Sequence, residues 1–180
     1  FLIVGALLII GISLASYTTF RIGGPARYFF TATHTTMVAR ALRAARKAKV
    51  PVFVLSGGSN VVFPDKGFNG LVVHVTSSGV SFKKTLLFVD AGVSMASLVG
   101  AALARGLAGL EWAGGLPGTL GGAVRGNAGA FGGEIKDAVI SVRAIDEKGR
   151  VHVFSKKQCK FSYRSSLFKE KKYVVLSATL

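Results

Sequence analysis

Apolar and polar positions along the chain follow two rhythms. After the stretch "TTFRIGGPARYFF", where Gly23-Gly24-Pro25 predicts a turn in extended chain, Val38, Ala41, Leu42 and Ala45 fall at i, i+3, i+4 and i+7. That spacing predicts a helix capped by Thr35 or Thr36, with Arg40, Arg43, Arg46 and Lys47 largely off the apolar stripe. Pro51 ends it, and "VFVL" then reads as a buried strand running straight into "SGGSN" at 56–60. "GLVVHV" (70–75) and "LLFVDAGV" (86–93) read as strands. Ser94 is placed to cap a helix carrying Met95, Leu98, Val99 and Ala102 on one face and stopping at Gly106. Further on, "VISVRAID" is a strand, "EKGR" a turn and "VHVF" its hairpin partner, and "YVVLSATL" is a last strand. An early β-α-β followed by more strands than helices predicts an α+β chain of two lobes.

Between the second helix and the hairpin lies "GGLPGTLGGAVRGNAGAFGG", residues 114–133, with nine glycines in twenty positions. So much glycine is unfavourable in a helix or strand, at roughly 0.5–1 kcal/mol per residue against alanine, unless something outside the segment compensates. Leu116, Leu120, Ala123, Val124 and Phe131 argue against a solvated linker. Two uses remain: turns with positive φ, and close approach of peptide N–H groups to an anion such as a pyrophosphate. "SGGSN", a strand emptying into a glycine loop, has the setting for the second use, although two adjacent glycines serve turns equally well. Neither segment reads G-x-G-x-x-G opening a long helix, so a Rossmann fold is excluded.

Charge narrows the partners without choosing among them. A formal +15 from 23 Lys and Arg against 8 Asp and Glu favours anions. The basic residues fall in scattered groups, "RAARKAK" (43–49), "KKQCK" (156–160) and "KEKK" (169–172), with no nucleic-acid motif, so specific nucleic-acid binding is not expected. The lone Cys159 excludes an internal disulfide and reads as a small apolar filler. His34, His74 and His152 are far apart, and no metal site is assigned. The apolar opening "FLIVGALLIIGI" is shorter than the roughly 20 residues that span a bilayer. A core segment, a membrane-touching tail at 1–12 and a truncated or misassigned start all stay open; the last is preferred.

Four stretches in order are similar to one family: "SYTTFRIGGPARYF" (16–29), "VLSGGSN" with "DKGFNGLV" (54–72), "GLEWAGGLPGTLGGAVRGNAGAFGGEIKD" (109–137) and "FSYRSSLFK" (161–169). The chain from about Ser13 to Leu180 resembles the UDP-N-acetylenolpyruvoylglucosamine reductases, flavoenzymes of peptidoglycan precursor synthesis. The resemblance implies a two-lobed α+β FAD-binding domain of the vanillyl-alcohol-oxidase (PCMH) type. The expected division is an apolar segment of unsettled status at 1–15, lobe one at 16–76 and lobe two at 77–180, with the family's C-terminal substrate domain lacking. A different oxidoreductase on the same FAD-binding module is the alternative.

The family pattern carries over residue by residue. Ser56, Gly57, Gly58, Ser59 and Asn60, with Leu116, Pro117, Gly118, Thr119, Gly121 and Gly122, would hold the pyrophosphate of noncovalent FAD through backbone N–H groups. Asn127, Ala128 and Gly129 would pass near the flavin. Arg164 matches the arginine that stabilises negative charge on the enolpyruvyl carboxylate, beside Tyr163 in the pocket for the UDP-sugar, with NADPH as co-substrate and a cytoplasmic location. Ser165 stands where the family commonly has aspartate, which leaves that position without an orienting carboxylate. The family's proton-donating serine and catalytic glutamate map onto no residue here.

Overall fold

The computed structural model describes residues 8–180, which form two five-stranded sheets around a shared core and a separate two-stranded hairpin. The first sheet holds β1 (Leu8–Ile9), β2 (Ile12–Ser13), β3 (Pro25–Ala32), β4 (Val52–Leu55) and β5 (Phe68–Val75), with helix α1 (Thr35–Lys47) between β3 and β4. Its order is β1-β3-β5-β4, with β2 also on β3. The β3–β5 and β4–β5 pairs are parallel, while β1 and β2 run antiparallel to β3. Of the apolar opening, residues 1–7 lie outside the described residues, and the rest joins this sheet.

The second sheet is antiparallel throughout: β6 (Val80–Lys83), β7 (Leu86–Asp90), β10 (Ser141–Ile145), β11 (Val151–Ser155) and β12 (Val174–Thr179), ordered β11-β10-β12-β7-β6. Helix α2 (Met95–Leu103) follows β7. The β10–β11 hairpin pairs Ile145 with Val151, as the "EKGR" turn predicts. β6 is a strand that the alternation did not reveal, because only Val80 and Phe82 mark its apolar face.

Period-two alternation sends neighbouring side chains to opposite faces. On β3, Phe30 enters the large core shared with the second sheet, whereas Phe29 enters a smaller cluster with Leu14, Leu55, Phe63 and Val72. Val38, Ala41 and Ala45 bury the predicted stripe of α1 in the large core, and Arg40, Arg43, Arg46 and Lys47 are exposed. The predicted cap of α1 is corrected: His34 is the N-cap, without a side-chain bond, and Thr35 is already helical. Ser94 caps α2 as expected, its hydroxyl accepting from the Ser97 amide at 3.0 Å.

The glycine-rich segment also differs from expectation by forming regular structure. Leu120–Gly126 is a helix, α3, followed by a tight hairpin of β8 (Gly129–Ala130) and β9 (Gly133–Glu134) and a helical turn, α4 (Ile135–Ala138). The compensation lies in tertiary contacts. Leu120 and Val124 are fully buried and Ala123 nearly so, and the Leu120 and Gly121 amides donate to Val93 and Ala91 carbonyls at 2.9 and 2.8 Å. Gly121 permits that approach: a Cβ there would lie 2.9 Å from the Ala91 Cβ. A last helical turn, α5 (Leu167–Glu170), precedes β12.

Candidate functional site

The fold brings the two glycine segments into contact. "SGGSN" leaves the end of β4, and "PGT" leads into α3 from the other sheet. A Cβ on Gly57 would lie 3.0 Å from the Gly118 Cα, and one on Gly118 would lie 2.9 Å from Ser59 Oγ. Gly58 (φ 63°) and Gly118 (φ 102°) occupy backbone conformations that favour glycine. At Gly58 the Tyr17 carbonyl also fills the place a Cβ would take.

Each loop is fixed from behind. The Ser56 hydroxyl donates to the Val75 carbonyl at 2.8 Å, and the Thr19 amide donates to the Gly58 carbonyl at 3.2 Å. His74, half-buried near the end of β5, holds the Ser56 carbonyl through its ring and packs against the Tyr17 and Phe29 rings at 5.2 and 5.6 Å. Burial pushes its pKa below the ordinary 6.5, outweighing the opposing effect of the Ser56 hydrogen bond, so the imidazole is neutral at pH 7. Nothing in the pattern of the chain separated His74 from a core residue.

Whether these loops suit an anion turns on which donors are unengaged. Among the described residues the amides of Gly57, Gly58, Ser59, Asn60, Gly118 and Thr119 have no protein acceptor. The hydroxyl of Thr119, the N-cap of α3, is buried without a partner and makes no cap bond. A buried hydroxyl left unpaired costs about 1–3 kcal/mol, which a ligand oxygen at the start of α3 would relieve. Main-chain donors, a cradle that side chains would fill and an orphaned hydroxyl together fit a pyrophosphate.

Other expected donors are engaged inside the protein. The Leu116, Leu120 and Gly121 amides all donate to protein carbonyls, and Pro117 has no N–H. The Asn127 and Ala128 amides donate to Val124 and Ala123 carbonyls at 3.3 and 2.9 Å, whereas Gly129 lies opposite Glu134 in the β8–β9 hairpin with no acceptor for its amide among the described residues. Asn127, fully buried at φ 43°, also uses its side chain internally: Nδ2 donates to the Ser162 carbonyl at 2.9 Å, and Oδ1 accepts from the Lys136 amide at 3.3 Å.

Arg164 stands on a tight turn. The Ser162 and Ser165 amides donate to each other's carbonyls at 3.0 and 3.1 Å, leaving Tyr163 and Arg164 at the tip, with Arg164 at φ 52°. Tyr163 is 85% exposed, and the Arg164 guanidinium lies 6.0 Å from its ring centre, with no carboxylate partner among the described residues. The Ser165 hydroxyl, at the position lacking an aspartate, lies 3.5 Å from Glu170 Oε1, which brings a carboxylate to the turn from α5. Phe131, 93% exposed at φ 48°, occupies the tip of the β8–β9 hairpin.

Other features lie apart from these loops. A cavity of about 20 Å³ lined by Leu8, Tyr28, Ala45 and Leu71 is wholly apolar. Cys159 is buried, which pushes its thiol up to about 11. Among the described residues no cluster of metal-binding side chains occurs, and no helix is long and apolar enough to cross a membrane.

Comparison with known proteins agrees with this geometry. A UDP-N-acetylenolpyruvoylglucosamine reductase of Gloeobacter violaceus is 41% identical over 94% of the chain and 58% of its own length. That of Streptomyces coelicolor is 40% identical over 91% of the chain and 43% of its own. The chain thus spans about half the length of the curated relatives it matches. Among solved structures, UDP-N-acetylenolpyruvylglucosamine reductase from Thermus caldophilus superposes with a TM-score of 0.79 at 31% identity, over 96% of the chain and 60% of that one. A BBE-like protein of Physcomitrella patens, at TM-score 0.68 and 20% identity over 98% of the chain and 42% of its own, shares the fold. The family described as FAD binding domain matches residues 26–155, a span containing both glycine loops, α3 and the strand β4 that feeds the first loop, and by that match the chain belongs to the FAD binding domain family.

Proposed function

We propose that this chain is the FAD-holding part of a reductase that uses NADPH to convert UDP-N-acetylglucosamine enolpyruvate to UDP-N-acetylmuramate, a cytoplasmic step in building the cell wall. The observation that carries the reading is the 41% identity to such a reductase over 94% of the chain, since it extends past the FAD span to the turn bearing Arg164.

FAD, when bound, supplies hydride transfer between the nicotinamide and the enolpyruvyl group. The protein's part begins with the free amides of Gly57 to Asn60, Gly118 and Thr119, which hold the pyrophosphate with the Thr119 hydroxyl. Charge-assisted N–H bonds to phosphate oxygens are short and strong, and they need bare backbone at the contact. Neutral His74 keeps the first loop in shape without adding charge beneath it. The Arg164 guanidinium, unpaired by any carboxylate and planar, is suited to take both oxygens of the substrate carboxylate. It would stabilise negative charge as that charge builds there. Tyr163 lines the same pocket. No residue of this chain is assigned the protonation of the adjacent carbon, a step typically worth 10² to 10⁴ in rate.

The test combines the FAD-loaded chain with a separately expressed C-terminal part of a matching reductase and follows NADPH oxidation with and without the UDP-sugar. Sugar-dependent oxidation that Arg164→Lys abolishes is expected. Oxidation indifferent to the sugar, or to Arg164, would return the chain to the alternative of an FAD-binding module serving another oxidoreductase.

A further inference from the structure

Two tight turns, 162–165 and 130–133, leave the body of the fold with bulky residues at positive φ, a combination unfavourable for Arg164 (φ 52°) and Phe131 (φ 48°) unless the surroundings impose it. One buried residue bonds to the first turn and beside the second. Asn127 ends α3 in the left-handed conformation, with Nδ2 on the Ser162 carbonyl and Oδ1 on the Lys136 amide just beyond β9. A second buried side chain closes the link from the other direction. The Ser166 hydroxyl donates to the Arg125 carbonyl at 2.7 Å. Ser166 is the N-cap residue of α5, a place where serine ordinarily accepts a bond from its own helix, and here it makes none. Its hydroxyl instead satisfies a carbonyl of the last turn of α3, one of those a helix leaves unpaired. The residues on either side of the Ser162–Ser165 turn are therefore tied to α3, whose other end lies at the glycine cradle.

We infer that Asn127 and Ser166 are positioning residues that fix the Arg164 turn against α3, so that the guanidinium is held in register with the group bound at the start of that helix. The inference rests on the reading of Arg164 given above, and it assigns Asn127 a place behind the site in preference to contact with flavin.

Asn127→Asp separates the two halves of the clamp. Aspartate tolerates the left-handed conformation and keeps the acceptor for Lys136, but it sets a carboxylate oxygen against the Ser162 carbonyl. Amide hydrogen exchange on the FAD-loaded chain should quicken about tenfold at Ser162 and Ser165 while Ile135 and the α3 amides keep their protection, as expected for losing one hydrogen bond locally. Asn127→Gly, which retains the backbone conformation and deletes both bonds, should release Lys136 as well. FAD affinity should stay within about threefold in both variants, since the cradle amides lie at the other end of α3.

A functional readout uses pyruvate as the carboxylate probe, titrated while the Arg164 Nε–H resonance is followed. Asn127→Asp should weaken the pyruvate-dependent shift about tenfold when Arg164 is present. In an Arg164→Lys background, where pyruvate is read from the Tyr163 amide, the same change should have no further effect. Unchanged exchange at Ser162 and Ser165, equal loosening of the whole chain, or additive effects of the two substitutions would each overturn the inference. Selective loosening of the turn with a pyruvate response that ignores Arg164→Lys would uphold the clamp and overturn the Arg164 reading instead.

Discussion

The two halves of the glycine-rich segment use the same residue for opposite ends. In the first half, around Gly118 and Thr119, amides have no protein acceptor among the described residues and a buried hydroxyl has no partner. In the second half, the Asn127 and Ala128 amides and the Asn127 side chain find partners inside the fold, and Gly133 is bare because the Trp112 ring lies where its Cβ would be. Bare backbone at Gly118 lets two loops converge with their amides unengaged; at Gly133 it makes room for a buried ring. A count of glycines cannot tell these apart. Which donors remain unengaged can.

Substitution should separate the halves by what they damage. Gly133→Val drives two methyl groups into the body of Trp112 and should destabilise the chain by about 3 kcal/mol or more, while molecules still folded bind FAD with nearly unchanged affinity. Urea titration and FAD titration of the same sample measure both. Gly58→Val meets the Tyr17 carbonyl and a positive φ, so stability and FAD affinity should fall together, the affinity by about 1–3 kcal/mol. Equal affinity in the folded fraction would place Gly58 with the turns.

Thr119→Val is the sharpest contrast because its two effects have opposite signs. Removing an unpaired buried hydroxyl should leave the FAD-free chain as stable or about 1 kcal/mol more stable, and should weaken FAD by about 1–3 kcal/mol. Thermal melts with and without FAD would show the crossing. A loss of stability in the FAD-free chain would mean that the hydroxyl serves the protein. The smallest effect concerns His74. Its folded pKa lies below the ordinary 6.5, so as pH falls through that value the unfolded chain takes up a proton that the folded chain refuses, and stability declines on acidification. His74→Phe should flatten that decline as the pH is lowered through 6.5, measured as the shift of the urea midpoint.

Much of this architecture was legible in the residues. Val38, Ala41 and Ala45 marked α1, Ser94 marked α2, and the 145–151 hairpin followed from its turn, because in each case one local rule decided the outcome. Helix α3 was not legible. Its stability comes from Val93 and Ala91 carbonyls and from burial of Leu120 and Val124, which are partners remote in sequence. The same limit applies at the site. "SGGSN" and "LPGTLGG" identified the loops, but the engagement of Leu120, Gly121 and Asn127 inside the fold, and the carboxylate of Glu170 near Ser165, depend on packing that no spacing encodes.

The central claim is that bare backbone at two converging loops binds the pyrophosphate of FAD. Titration of the flavin-free chain with FAD and with riboflavin, which has the same ring system and no phosphate, addresses it directly. FAD is expected to bind and riboflavin to bind at least about 100-fold more weakly, the equivalent of two hydrogen bonds to a charged group. Equal affinity for the two would contradict it, because binding would then reside in the ring and the glycine loops would be turns alone.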